Sequence, residues 1–223
     1  MTSSEPLLAL AGSVRDTSVA VRIGGECLVR RREGRAMHSV HLLPLVQEVL
    51  AEAGVAKPAA VAFARGPGPF TGGRIVVATA QGLGLSWGCP LLPVASLAAA
   101  AYAGGEGASA VALGAGQGEV YWATYRVDDA GVTPLTTEEV AAPAAVTVPA
   151  DEPGPWVGVG NGWADFGAEL ADRLGGTPIK TAPGVEPGAE AVAGLGPALW
   201  AAGGAIEPAQ AVPTYLRASY AER

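Results

Sequence analysis

The sequence predicts an α/β fold in which mixed sheets are flanked by helices. Three observations carry this. In the first half of the chain the apolar runs order as β-β-β-α-β-α-β-α, with period-two strands and 3.6-period helices. The first three strands are joined by hairpin-type connections and the later ones by helical crossovers, which gives a mixed rather than an all-parallel sheet. After residues 104–108 the pattern begins again more weakly, so a second, smaller lobe follows.

Taken in order, residues 7–11 read as a buried first strand. Residues 17–23 and 26–31 form a hairpin around Gly24-Gly25, a pair that tolerates positive φ. A helix is expected over 39–53, a short strand over 59–64, and a second helix over 75–86. A strand at 91–94 and a helix at 97–103 complete a first lobe of residues 1–105. In the second lobe, 106–223, strands are expected at 109–113, 119–127 and 156–159, with helices at 163–174 and 188–202. Gly194 and Gly196-Pro197 weaken the middle of the last helix. Residues 128–155 are rich in Pro, Thr and acids and take no clear element.

Composition narrows the function. The hydrophobic fraction of 49% and charged fraction of 16% fit a globular protein of 223 residues with real cores. The net charge of -7 makes the chain a poor solitary binder of nucleic acid, whose affinity comes largely from neutralised phosphates. Arg30-Arg31-Arg32, with Arg35 nearby, is the local exception, and the solvated end of a strand is its plainer reading. Cys27 and Cys89 form neither a disulfide framework nor a metal-ligand spacing, which fits a reducing, cytoplasmic setting. Neither a signal peptide nor a membrane span is expected.

The most specific segment is Arg65-Gly66-Pro67-Gly68-Pro69-Phe70-Thr71-Gly72-Gly73-Arg74, between a strand and a helix. A Gly-rich loop in that place raises the question of a phosphate cradle. Pro67 and Pro69 lack N–H donors, no Lys follows, and Thr71 stands where a dinucleotide fingerprint needs its third Gly. The alternating Pro and Gly instead build a stiff turn that presents Phe70, and a rigid aromatic knob suits a protein partner.

With the following helix, Gly66 to Arg74 and on through Gly82-Leu83 resembles the signature G-P-G-S-F-T-G-x-R-I-G…G-L of the bacterial TsaB (YeaZ) family, with Pro69 in place of the usual Ser. His38-Ser39-Val40-His41-Leu42-Leu43-Pro44 resembles the family's H-S-x-x-L-x-P run, and Pro213-Thr214-Tyr215-Leu216-Arg217 its C-terminal P-x-Y-L-R. The resemblance implies a two-lobed actin-like ATPase architecture (ribonuclease-H-like, ASKHA), with the tail from about 210 packing back on the first lobe. It implies a non-catalytic subunit that supports a TsaD-like catalytic subunit and a TsaE-like ATPase. Their reaction transfers threonylcarbamoyl from its AMP adduct to N6 of the adenosine beside the tRNA anticodon. Contact with tRNA would be indirect, no cofactor is implied, and a homodimer is the alternative use of the same surface. The family's helices in this lobe pack on the partner. The residues expected to bind it are Phe70, Thr71 and Arg74 on the loop and Leu42, Leu45, Val46 and Val49 on the helix over 39–53.

Actin-like ATPases need an Asp at the end of the first strand and another at the start of the second lobe, to organise magnesium and water. The corresponding positions are Ala11 and Gly114, which can do neither. No catalytic residue is therefore expected. Glu119 reads as a solvated acid at a strand start, and Tyr121, Trp122 and Tyr125 as core residues split between two faces. Gly158, Gly160 and Gly162, in a run resembling the family's V-G-x-G-W, are weak candidates for a nucleotide-side loop, against the plainer reading of a tight strand-to-helix turn. His38 and His41 stand three apart without a supporting carboxylate, so Ser39 as a helix cap is preferred over a metal site. An actin-fold ATPase or small-molecule kinase, and a homodimeric interaction protein without a tRNA role, are the alternative functions.

Overall fold

The computed structural model describes residues 4–13, 15–34, 37–152, 154–176 and 180–217. The chain divides into two units: residues up to Ser96 with Pro187–Thr214, and Leu97–Glu186 with the tail from Tyr215.

In the first unit, β1 (Leu7–Gly12), β2 (Asp16–Ile23), β3 (Glu26–Glu33), β4 (Ala60–Ala64) and β5 (Leu91–Val94) form one sheet in the order β3-β2-β1-β4-β5. The first three strands run antiparallel as a meander, and β1-β4 and β4-β5 are parallel. Period two sorts the side chains of β1. Leu8 and Leu10 pack with Leu42, Val46 and Val49 of α1 (His38–Glu52) and Val76, Val77 and Ala80 of α2 (Phe70–Trp87). Leu7 points the other way, toward Gly196 of α5 (Ala189–Ala201). A Cβ at Gly196 would run into the Leu7 side chain, so glycine there lets the helix seat on the sheet.

The second unit repeats the order. Its sheet runs β11 (Lys180–Ala182), β10 (Trp156–Val159), β6 (Gly107–Gly116), β7 (Glu119–Asp128), β8 (Gly131–Pro134), with β9 (Glu139–Ala141) also on β7. Here too an antiparallel meander of three strands is followed by two parallel ones. Val111, Leu113, Tyr121 and Tyr125 share one face with Leu97, Ala100 and Ala101 of α3 (Ser96–Gly104). Ala110, Ala112 and Trp122 share the other with Trp156 and with Trp163 and Leu170 of α4 (Gly162–Arg173). The expected split of Tyr121 and Tyr125 from Trp122 is what is seen.

Several expectations are corrected. The lobe boundary falls at residue 96, not 105, and the helix expected at 188–202 belongs to the first unit. Sequence order hides this, because each unit borrows the helix that follows the other's last strand: α3 follows β5, and α5 follows β11. Helix α2 starts at Phe70, not 75, because Gly72 and Gly73 sit in its first turn and not in the loop. Helix α1 runs through Pro44, which lies beyond the first turn; the carbonyl it leaves without a donor is that of exposed Val40. Residues 128–155 hold β8, β9 and a 3₁₀ turn at Pro143–Ala145. No helix among the described residues is long and apolar enough to cross a membrane.

Candidate functional site

The Gly/Pro loop is held at both ends. The Arg65 N–H donates to Val94, the Ser96 N–H donates to Gly66, and the Thr214 N–H donates to the Arg65 carbonyl at 2.7 Å. The Arg65 guanidinium also donates to Thr214 Oγ1 at 2.7 Å. Gly66 has φ +98°, and a Cβ there would lie 3.1 Å from the Thr214 carbonyl, so conformation and space both require glycine. Pro69 then sits at the N-cap of α2, where its missing N–H costs nothing.

This frame brings Phe70, Thr71 and Arg74 together on the first turn of α2, all exposed. The Arg74 guanidinium lies 3.7 Å over the Phe70 ring, an i, i+4 cation–π contact that fixes the ring while leaving 37% of Phe70 accessible. Helix α1 packs beside α2 on the same sheet face.

Leu42, Leu45, Val46 and Val49 are not where a docking surface needs them. All four are at most 3% exposed, in the core under α1. An i, i+4, i+7 stripe is what a helix turns to its own sheet. The apolar residues that α1 leaves outside are Val40 and Leu43, each more than half exposed, with Met37 before them. Sequence reading named Leu45 on this helix and missed Met37, Val40 and Leu43 as candidates. The available signal was that Val40, Leu43 and Pro44 follow i, i+3, i+4 on the face opposite the core stripe.

Ser39 is no cap: α1 starts at His38, its N-cap is Met37, and no side chain caps it. His38 is instead buried, with Nδ1 2.8 Å from Thr17 Oγ1. The arginines of β3 are paired, not bare. Arg31 meets Asp16 at 3.2 Å, Arg32 meets Glu48 at 2.8 Å, and Arg30 reaches Glu48 and Glu52. Arg35 lies outside the described residues.

Ala11 is buried near the end of β1, and the Gly114 N–H on β6 donates to Asn161 Oδ1 at 2.9 Å. Glu119 is not merely solvated; it forms an ion pair with Arg217. The three candidate nucleotide-side glycines are accounted for by packing. A Cβ at Gly158 would sit 2.7 Å from the Trp163 ring, one at Gly162 would meet Ala112 and Val120 at 3.0 Å, and Gly160, at φ +100°, backs onto the Ala112 carbonyl. They let Trp163 fold under β6 and donate to the Ala110 carbonyl at 2.9 Å. Among the described residues no three His, Cys, Asp or Glu side chains gather as metal ligands. Burial pushes both thiols, Cys27 and Cys89, above the usual cysteine range, which leaves them poor nucleophiles.

Known proteins match this chain along most of its length. A family model described as TsaD, tRNA N6-adenosine threonylcarbamoyltransferase, matches residues 32–157. The tRNA threonylcarbamoyladenosine biosynthesis protein TsaB of Escherichia coli is 35% identical over 191 residues, which is 81% of this chain and 80% of that protein. TsaB of Haemophilus influenzae is 38% identical over 45% of this chain and 43% of its own length. Among solved structures, YeaZ from Pseudomonas aeruginosa is similar with a TM-score of 0.87 at 35% identity, covering 95% of this chain and all of that one. The doubled strand order is that of the actin-like, ribonuclease-H-like fold. With loop, fold and relatives in agreement, the chain belongs to the TsaB (YeaZ) family.

Proposed function

We propose that this chain is a non-catalytic subunit in the biosynthesis of threonylcarbamoyladenosine in tRNA, acting by docking a TsaD-like catalytic subunit that works with a TsaE-like ATPase. The observation that carries the reading is the likeness to a TsaB named for that pathway over 81% of the chain. Two features support the non-catalytic part: Ala11 and Gly114 stand at the strand positions where ATPase chemistry needs carboxylates, and the thiols are raised by burial. Docking is supported by the first turn of α2. Phe70 is held by Arg74 before any partner arrives, so little side-chain freedom is lost on association. Val40 and Leu43 extend the apolar area along α1.

The test is co-purification with the TsaD-like subunit of the same organism, together with the threonylcarbamoyladenosine content of tRNA after depletion of this chain. A stoichiometric complex is expected, weakened roughly 100-fold by Phe70→Asp, as for a central aromatic anchor. Depletion is expected to lower the modified nucleoside. A folded chain that forms no complex, with tRNA modification unchanged, overturns the proposal.

A further inference from the structure

His38 is a buried polar group that the proposed docking surface does not use. It is 3% exposed at the first residue of α1 and hydrogen-bonds Thr17 of β2, which is itself fully buried. Its ring is wedged between two glycines. A Cβ on Gly12, at the end of β1, would come 3.1 Å from Nδ1, and one on Gly72, in the first turn of α2, 2.9 Å from Nε2. The second distance is closer than a methyl group can stand without something moving. The imidazole and the α2 backbone therefore fix each other's place, and Gly72 is two residues from both Phe70 and Arg74.

We propose that His38 is a positioning residue: its neutral imidazole sets the spacing between the first turns of α1 and α2, and so places Phe70 and Arg74. What those two residues do once placed rests on the proposed function; the spacing itself belongs to the free chain. The charges around the ring are few. Burial pushes the His38 pKa below the usual histidine value, and His41, one turn along α1, adds to that. Asp16 on β2 and a hydrogen bond with the Ser13 backbone pull the other way. Asp16 is itself occupied by Arg31 of β3 and by the Ser13 hydroxyl. Helix α2 meets the ring with Gly72, which has no side chain to titrate. A histidine whose pKa is lower folded than unfolded gives stability that is full above about 6.5 and is lost as pH falls through the lowered value. Acid should thus add a charge and its hydration where the first turn of α2 closes on the ring.

The experiment follows both histidine rings by NMR across pH while amide exchange is read along α2. Protection of residues 73–76, whose N–H groups close the first turn, is expected to fall at least about fivefold more than that of residues 80–86 as the His38 ring protonates. His41→Gln should keep this transition and move it to higher pH. Protection at 73–76 that ignores His38 protonation, or a transition abolished by His41→Gln, overturns the proposal. A size swap gives an independent reading. Gly72→Ala and His38→Ala should each speed exchange at 73–76, and the double variant should exchange more slowly than either, because the added methyl fills part of the space the ring vacates. Additive losses overturn it. Normal exchange behaviour in a chain that binds no TsaD-like subunit would fault the proposed function and leave this inference standing.

Discussion

The two units share a strand order and differ in what they leave outside. In the first, Ile23, Met37, Val40, Leu43, Phe70, Leu85 and Val212 are large hydrophobic residues exposed to solvent; in the second, among the described residues, Tyr102 alone is. Part of the difference, Met37, Val40 and Leu43, comes from the segment that follows the antiparallel meander of each sheet. In the first unit it is α1, which covers the sheet and, being a cylinder, has an outer face. In the second it is β9 and the turn at Pro143–Ala145, from which Val146 is buried with Trp122, Trp156 and Trp163. The Trp122 indole donates to the Thr147 carbonyl at 2.8 Å and ties this segment down. Apolar surface is used up inside the second unit and remains exposed on the first.

The largest effect that would break the parallel is at two matched glycines. Each follows a central parallel strand and precedes a helix: Gly66 after β4, with φ +98°, and Gly160 after β10, with φ +100°. Both carry the same conformational penalty for a side chain, but their surroundings differ. A Cβ at Gly66 meets the Thr214 carbonyl at 3.1 Å, a segment near the end of its unit, whereas one at Gly160 would press on the Ala112 carbonyl in the middle of a sheet. Gly160→Ala should cost about 4 kcal/mol and Gly66→Ala about 2 kcal/mol in urea denaturation. Equal costs would mean that φ alone decides and that the packing of the second unit is looser than its aromatic core implies.

The next comparison lies within α1. Leu42→Ala should cost about 3 kcal/mol in the free chain, since it opens a cavity beneath the helix. Leu43→Ala should stay within about 0.5 kcal/mol. Against the TsaD-like subunit the ranking should reverse, with Leu43→Ala weakening the complex. A complex indifferent to Leu43 would confine the docking surface to the first turn of α2.

These pairs also mark what the sequence made legible. The succession of strands along the first unit was readable because β1 and β4 carry uninterrupted apolar runs and Gly24-Gly25 marks the hairpin. The stiffness of the Gly/Pro loop was readable because Pro67 and Pro69 fix their φ and remove donors, a statement of covalent chemistry that folding cannot alter. Which side of α1 faces out was misread because the densest apolar stripe is the one that belongs inside. The placement of α5 was illegible, since the cue for it, Gly196 opposite Leu7, is a contact between residues far apart in the chain. The glycines 158, 160 and 162 showed the same ambiguity: a ligand and an indole ring both demand a bare backbone, and only the position of Trp163 decides between them.

The smallest expected effect concerns the arginines of β3, which sharpen the contrast between apolar docking and electrostatics. Arg30 and Arg32 lie against Glu48 and Glu52 of α1, so the one basic run in a chain of net charge -7 is already matched by acids. The Arg32–Glu48 pair is half exposed on one side and 40% on the other, and water and salt screen most of its attraction. Arg32→Ala should therefore lower stability by no more than about 0.5 kcal/mol, less again in high salt. If the run held tRNA in the assembled complex, removing it would flatten the salt dependence of tRNA binding, by nearly one unit of logarithmic slope for each phosphate no longer neutralised. We expect no change in that slope for Arg30→Ala with Arg32→Ala. A flatter slope would assign the outer edge of β3 to the tRNA and make the acids of α1 its competitors.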